Sequence, residues 1–248
     1  MSREIKNSKK VVRSILGGLA IFIIALGIGV WVWTSNTYAP TAELWTYVRE
    51  KDYVKEGDFF VFRPQGEENN KGVVIYPGAL VEPLSYAYYA KGLAEVGYLV
   101  GIPKVRLNLA ITEQDKAAEF IDQHPEIQKW YVAGHSMGGV CAASYAEAHQ
   151  EQVDGLILLG AYPASSTDLA DNSQKVLSLY AENDGLTTLD DIERSRENLP
   201  VTTEFIEIKG GNHAQFGMYG TQKKDGEATI DALEQQREMI SCTLQFLE

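Results

Sequence analysis

Gly134-His135-Ser136-Met137-Gly138-Gly139 follows directly on the apolar run Trp130-Tyr131-Val132-Ala133. The pattern G-x-S-x-G at the end of such a run predicts a sharp strand-to-helix turn with a serine at its apex. The serine's backbone must take a strained, positive-φ conformation there, and only small neighbours let strand and helix close around it. Val140 to Ala148, rich in alanine, reads as a helix able to pack tightly on a sheet. Loops use glycine and serine freely, so the five residues alone decide little; their setting decides more. In that setting the Ser136 hydroxyl projects clear of the sheet, and the N–H groups behind it face a developing negative charge.

The surrounding pattern is consistent with such a turn. Gly57-Asp58 reads as the turn of a hairpin over residues 46–63, with Phe59-Phe60-Val61-Phe62 as its second strand. A hydrophilic loop runs from Gln65 to Lys71. Strands are expected at Val73–Tyr76, Tyr98–Pro103, Trp130–Ala133, Leu156–Leu159, Val176–Tyr180 and Thr203–Ile208. Helices are expected at Pro83–Glu95, Thr112–Gln123, Met137–His149, Leu189–Asn198 and Ala228–Phe246. Short apolar strands alternating with longer helices predict an α/β fold: a mostly parallel, twisted sheet with helices on both faces. The segment between Leu159 and Val176 is too short for a helical cap, so the site is expected to carry little or no lid.

A serine nucleophile needs a base for its proton, and the base needs a group that holds its tautomer. On a sheet of this kind they follow later strands, in the order serine, acid, histidine. Of four histidines, His124 and His149 fall at helix ends and read as caps, while His135 precedes Ser136 and is expected to point elsewhere. His213, in Gly210-Gly211-Asn212-His213 after the last strand, is the candidate base. Glu182 and Asp184 both follow the preceding strand; Asp184, beside Gly185, is preferred as the acid. Asp190 and Asp191 read as helix N-terminal acids. The Met137 N–H is the first candidate oxyanion donor. Ala79, in the loop Tyr76-Pro77-Gly78-Ala79-Leu80, is the second, because Gly78 lets the backbone approach the substrate. Leu80, Arg106 and Tyr162 are candidate substrate contacts, and Glu82, Tyr86, Asn108, Gln215 and Tyr219 could also shape the pocket.

The N-terminus has a different character. Arg3, Lys6, Lys9, Lys10 and Arg13 against Glu4 give residues 1–13 a net charge of +4, and no charged residue follows until Glu43. Ile15 to Trp33 is almost wholly apolar, close to the length that crosses a bilayer core, with Trp31, Trp33 and Tyr38 at its far end. A cleaved signal peptide would have a shorter apolar region and a small-x-small site, whereas Ala39 precedes Pro40. The expected organisation is a basic cytoplasmic tail over 1–13, a transmembrane signal anchor over 14–34, a stalk over 35–45 and an extracytoplasmic domain over 46–248. With the tail's +4 removed from the total of −12, the rest carries −16, which argues against nucleic acid or anionic lipid as a partner of the soluble part. Cys141 and Cys242 offer neither a disulfide framework nor metal-ligand spacing and read as small core residues. No metal or organic cofactor is expected.

Turn, acid, base and element order together resemble the α/β-hydrolase superfamily over residues 46–248. The stretches Tyr-Pro-Gly-Ala-Leu-Val-Glu-Pro, Pro-Lys-Val-Arg-Leu-Asn-Leu-Ala and Gly-Gly-Asn-His-Ala-Gln-Phe-Gly are similar to small, lidless, dienelactone-hydrolase-like proteins. Those proper use a cysteine nucleophile; Ser136 in its place favours general ester chemistry. The resemblance implies a serine hydrolase with a small-molecule acyl substrate, most simply a carboxylic ester. Thioester, amide or acyl-transfer chemistry with the same residues, or a binding module that has lost activity, are the alternatives. It also implies that the helices bearing Cys141 and Cys242 lie on opposite faces of the sheet, which disfavours a disulfide between them.

Overall fold

The computed structural model describes residues 2–66 and 68–248 and divides into two units, residues 1–36 and 37–248. Met1 in the expected tail and Glu67 in the expected hydrophilic loop lie outside the described residues. The first unit is one helix, α1 (Ser2–Thr34), of which Ile15–Thr34 is long and apolar enough to cross a membrane, with mean hydropathy 2.6.

The second unit is built on an eight-stranded sheet of order β1-β2-β4-β3-β5-β6-β7-β8. Its strands are β1 (Val54–Glu56), β2 (Phe59–Phe62), β3 (Lys71–Tyr76), β4 (Leu99–Pro103), β5 (Lys129–His135), β6 (Gly155–Leu159), β7 (Lys175–Ala181) and β8 (Glu204–Ile208). The hairpin β1–β2 turns at Gly57, φ 56°, and β2 pairs antiparallel with β4; every later pairing is parallel. Helices α2 (Leu44–Tyr47), α3 (Ala87–Ala94), α4 (Lys116–Gln123), α5 (Met137–Ala148), α6 (Leu189–Ser195) and α7 (Ala232–Leu247) complete the unit.

Strand side chains alternate between two cores. Val73, Ile75, Ala133, Ile157 and Leu177 pack with Tyr89 and Leu93 of α3 and Met239 and Phe246 of α7. Val74, Tyr76, Val132, Leu156 and Leu158 pack with Phe120 of α4 and Ala142 and Tyr145 of α5. A sheet covered on both faces needs strands apolar at nearly every position, as β5 and β6 are. Cys141 and Cys242 therefore lie on opposite faces as free thiols, and burial pushes the Cys141 thiol up to about 11.

Several boundaries differ from the sequence reading. Residues 37–45 are not a free stalk: Thr41 N–H donates to the Met218 carbonyl at 2.8 Å, and Leu44 and Val48 are fully buried. Backbone pairing, the Thr37 hydroxyl on Glu82, the Tyr38 ring against Tyr219 and one i, i+4 apolar pair hold this stretch, too scattered a signal to show as a period. Residues 44–47 form a turn of helix and Glu50–Asp52 a 3-10 turn, so the hairpin begins only at Val54. Pro83–Tyr86 and Ala110–Thr112 are 3-10 turns ahead of α3 and α4. Helix α7 starts at Ala232, not Ala228, because the Asp231 carboxylate caps it by accepting the Glu234 N–H. No helix lies between Leu159 and Lys175.

Candidate active site

Parallel pairing brings the C-terminal ends of β3, β5, β7 and β8 to one edge of the sheet. Ser136 follows β5 at φ 53°, ψ −123°, a conformation that costs a non-glycine residue about 1–3 kcal/mol. Its N–H donates to Leu159 O at 3.2 Å, and its carbonyl takes the N–H groups of Gly139 and Val140 at 2.9 and 3.2 Å. The glycines are steric requirements. A Cβ on Gly138 would overlap the Tyr76 carbonyl, and one on Gly134 would overlap the Gly138 carbonyl.

Asp184 and His213, which follow β7 and β8, meet in a buried hydrogen bond, His213 Nδ1 to Asp184 Oδ2 at 2.8 Å. The other Asp184 oxygen accepts the N–H groups of Leu186 (2.8 Å) and Thr187 (2.6 Å). An ionised carboxylate only accepts, so the His213 proton sits on Nδ1 and Nε2 keeps its lone pair. That Nε2 is buried and has no hydrogen-bond partner among the described residues; the bond to Ser136 Oγ is open. Glu182, the rival acid, instead accepts the Gly210 N–H at 2.8 Å and braces the turn before His213.

A residue the sequence did not flag organises this corner. Asp225 Oδ1 accepts the N–H of His213 (3.2 Å), Gly185 (3.2 Å) and Gly226 (2.8 Å), while Oδ2 accepts that of Ala214 (2.8 Å). One carboxylate thus ties the acid loop to the histidine loop. Gln235 of α7 adds a reciprocal pair with the backbone of Asn212.

The loop after β3 presses on the turn: a Cβ on Gly78 would come within 2.9 Å of His135 Nδ1. Gly78 N–H donates to the buried Tyr86 hydroxyl at 2.9 Å, and that hydroxyl contacts His135 Nδ1 at 2.8 Å. The hydroxyl therefore joins the loop after β3 to the turn that carries Ser136. His135 therefore does not point away from the site; its ring centre lies 4.5 Å from that of His213. Burial, then the neighbouring His213, hold its pKa well below the usual histidine value, with the His213 backbone acting weakly the other way. The N–H groups of Ala79 and Met137, the two candidate oxyanion donors, have no backbone or side-chain acceptor among the described residues.

Ser136, Met137, Val140, Ala161, Tyr162, Leu186 and Thr187 line a cavity of about 140 Å³. Tyr162, a candidate substrate contact, is thus among the residues around it. Arg106 is not: its side chain is 81% exposed and pairs with Glu113 at 3.4 Å, because the backbone turns sharply at Leu107 (φ 56°). Leu80, at φ 59°, is a brace, its N–H on Asn108 O (2.8 Å) and its carbonyl on Tyr38 N–H (2.7 Å). Glu82 accepts from Thr37, Gln215 donates to the Ile230 carbonyl and Tyr219 donates to Gln222, so these three also act as supports. His124 and His149 cap α4 and α5, though His124 is buried, and Asp191 forms a capping box with Thr188. A larger cavity of about 490 Å³, lined by Tyr47, Tyr88, Arg237 and Ile240 among others, contains none of the site residues.

Residues 72–237, more than half of the chain, match the model of the alpha/beta hydrolase family. No curated protein matches the chain. Among solved structures it is similar to an alpha/beta hydrolase enzyme from the metagenome of lagoon sediments at Mar Chica, Morocco. That match has 18% identity and a TM-score of 0.60, covering 78% of this chain and 96% of that one. A CIB-like hydrolase from Thermoplasma acidophilum matches at 17% identity and TM-score 0.57, covering 79% of this chain and 95% of that one. A thioesterase domain from the curacin biosynthetic pathway matches at 14% identity and TM-score 0.56, covering 77% of this chain and 97% of that one. These likenesses bear on the fold, and with the family match they lead to one conclusion: the chain belongs to the alpha/beta hydrolase family.

Proposed function

We propose that this hydrolase is a membrane-anchored serine esterase, acting on carboxylic esters through Ser136, His213 and Asp184. The observation that carries the reading is the buried His213–Asp184 bond beside a serine held at positive φ. Ser136 Oγ attacks the acyl carbon as His213 Nε2 takes its proton. Asp184 holds the ring and stabilises its charged form, and the N–H groups of Met137 and Ala79 receive the oxyanion. His213 then protonates the leaving alcohol, and water, activated by the same nitrogen, releases the acid and restores the serine. The helix Ile15–Thr34 and the basic residues before it support a single-pass anchor, with the tail cytoplasmic and the catalytic domain outside.

The test is labelling by a fluorophosphonate together with turnover of p-nitrophenyl acetate. The parent protein is expected to do both and Ser136→Ala neither; labelling of Ser136→Ala at the parent rate sinks the reading. A thioester runs through the same acyl-enzyme, and one solved relative is described as a thioesterase domain, so an acyl thioester belongs in the substrate panel.

A further inference from the structure

The chain leaving the apolar helix is fastened almost at once to the loop that carries Ala79. Thr34 ends α1, and Tyr38, four residues on, already pairs with that loop. Tyr38 N–H donates to Leu80 O at 2.7 Å and its carbonyl accepts the Glu82 N–H at 3.0 Å, while the Thr37 hydroxyl donates to Glu82 Oε1 at 2.8 Å. Four residues span at most ~14 Å. Covalent connection alone therefore keeps Tyr38 within that reach of the helix end, and the Ala79 loop pairs directly with Tyr38.

A second observation concerns the other side of the same loop. Leu80 N–H donates to Asn108 O at 2.8 Å, and the segment carrying Asn108 exposes two large apolar side chains, Leu107 (46%) and Ile111 (52%). Isolated apolar side chains on a surface are ordinary. These two sit on a braced turn: the Thr112 hydroxyl donates to the carbonyls of Arg106 and Leu109 at 3.0 and 2.8 Å, and Arg106 N–H donates to Glu113 at 2.6 Å. Leu107 and Asn108 take successive positive φ values of 56° and 53°, so the turn holds a backbone that unconstrained residues avoid. The Ala79 loop thus connects on one side to the tether and on the other to a rigid apolar tip.

We propose that the site acts on short acyl esters borne by molecules embedded in the anchoring membrane, with Leu107 and Ile111 entering the bilayer interface. This rests on the serine-esterase and anchor readings above. The acyl part is short because the cavity beside Ser136, about 140 Å³, is close to the ~150 Å³ that holds one benzene molecule. In the reaction the Ser136 Oγ–acyl carbon bond forms as the ester C–O bond breaks. The lipid leaves as its alcohol with the proton from His213, and water then yields the short carboxylic acid.

The test uses the full chain in phosphatidylcholine vesicles. One substrate is a phosphatidylcholine with one long chain and one acetyl ester, in the same bilayer; the other is p-nitrophenyl acetate in the surrounding water. Each protein is scored by the ratio of the two rates. Inserting about twenty Gly/Ser residues between Asn36 and Thr37 is expected to lower that ratio roughly tenfold, as the longer tether dilutes the site from the surface. Leu107→Ser with Ile111→Ser is expected to lower it as well. A ratio unchanged by either variant, or a parent that cleaves p-nitrophenyl acetate but not the acetyl lipid, overturns this inference alone. A parent that cleaves neither overturns the esterase reading with it.

Discussion

Asp225 accepts the backbone N–H of His213 at 3.2 Å, and the same oxygen accepts the N–H of Gly185, next to Asp184, at the same distance. Asp184 and His213 thus take their positions from a third carboxylate that hydrogen-bonds to neither side chain. Asp225→Ala leaves four backbone N–H groups without this acceptor, at a cost of ~2–3 kcal/mol in stability. It also frees the two loops to separate, and a misplacement of about 1 Å is enough to lower kcat by ~100-fold. Steady-state kinetics on a short ester, with thermal unfolding of the same preparation, checks both. A kcat within twofold of the parent would show that the loops hold without it.

Asp225 marks where the sequence stops being readable. That Ser136, Asp184 and His213 share one edge of the sheet is legible because each follows an apolar strand, and a parallel sheet sends all such loops to one edge. Asp225 lies in an irregular stretch between Phe216 and Ala232, where no period ties a residue to a neighbour and any acid reads as solvated surface. The segment at 37–48 was misread for a related reason. Its attachment runs through backbone hydrogen bonds of Tyr38 and Thr41, which leave no mark on side-chain chemistry, and through scattered side chains (Thr37 on Glu82, Tyr38 against Tyr219, buried Leu44 and Val48) that make no period. Arg106 illustrates the converse. A cation after a strand of the sheet can bind substrate or pair with an acid; beside the positive φ of Leu107, invisible in composition, its exposed guanidinium pairs with the half-sheltered Glu113.

The two amides on Asp184 Oδ1 make Asp184→Asn an informative variant. The N–H groups of Leu186 and Thr187 require an oxygen at that position, so the new NH2 must face His213. It can only donate to Nδ1, which moves the ring proton to Nε2 and removes the lone pair Ser136 needs. A fall in kcat of ~10³–10⁴-fold is expected, with the fold intact. Nuclear magnetic resonance of the His213 ring should report the altered tautomer; an unchanged Nδ1–H signal would contradict this account.

Tyr86→Phe separates support of the oxyanion loop from the acid–base pair. The lost hydroxyl leaves the Gly78 N–H and His135 Nδ1 unpaired in a fully buried position, costing ~1–3 kcal/mol. The loop bearing Ala79 then loses its bond to the turn, and kcat is expected to fall ~10-fold with KM little changed, since an oxyanion donor acts in the transition state. A rise in KM at constant kcat would instead place Tyr86 in ground-state binding.

His135 gives the protein an acid-side weakness with a definite sign. Its folded-state pKa is depressed, chiefly by burial and secondarily by His213, whereas in the unfolded chain it titrates near ~6.5. Below that value the unfolded chain binds a proton that the folded one excludes. This group therefore adds no pH dependence above about pH 6.5 and lowers stability as pH falls beneath it, by up to ~1.4 kcal/mol per pH unit. The same neutrality suits the proposed chemistry: with ring centres 4.5 Å apart, a charged His135 would oppose an imidazolium formed at His213. His135→Gln keeps a hydrogen-bonding group for the Tyr86 hydroxyl and cannot titrate. Thermal unfolding of the full chain from pH 8 to pH 5 is expected to show a shallower acid limb for this variant than for the parent, and parallel curves would remove His135 as the source.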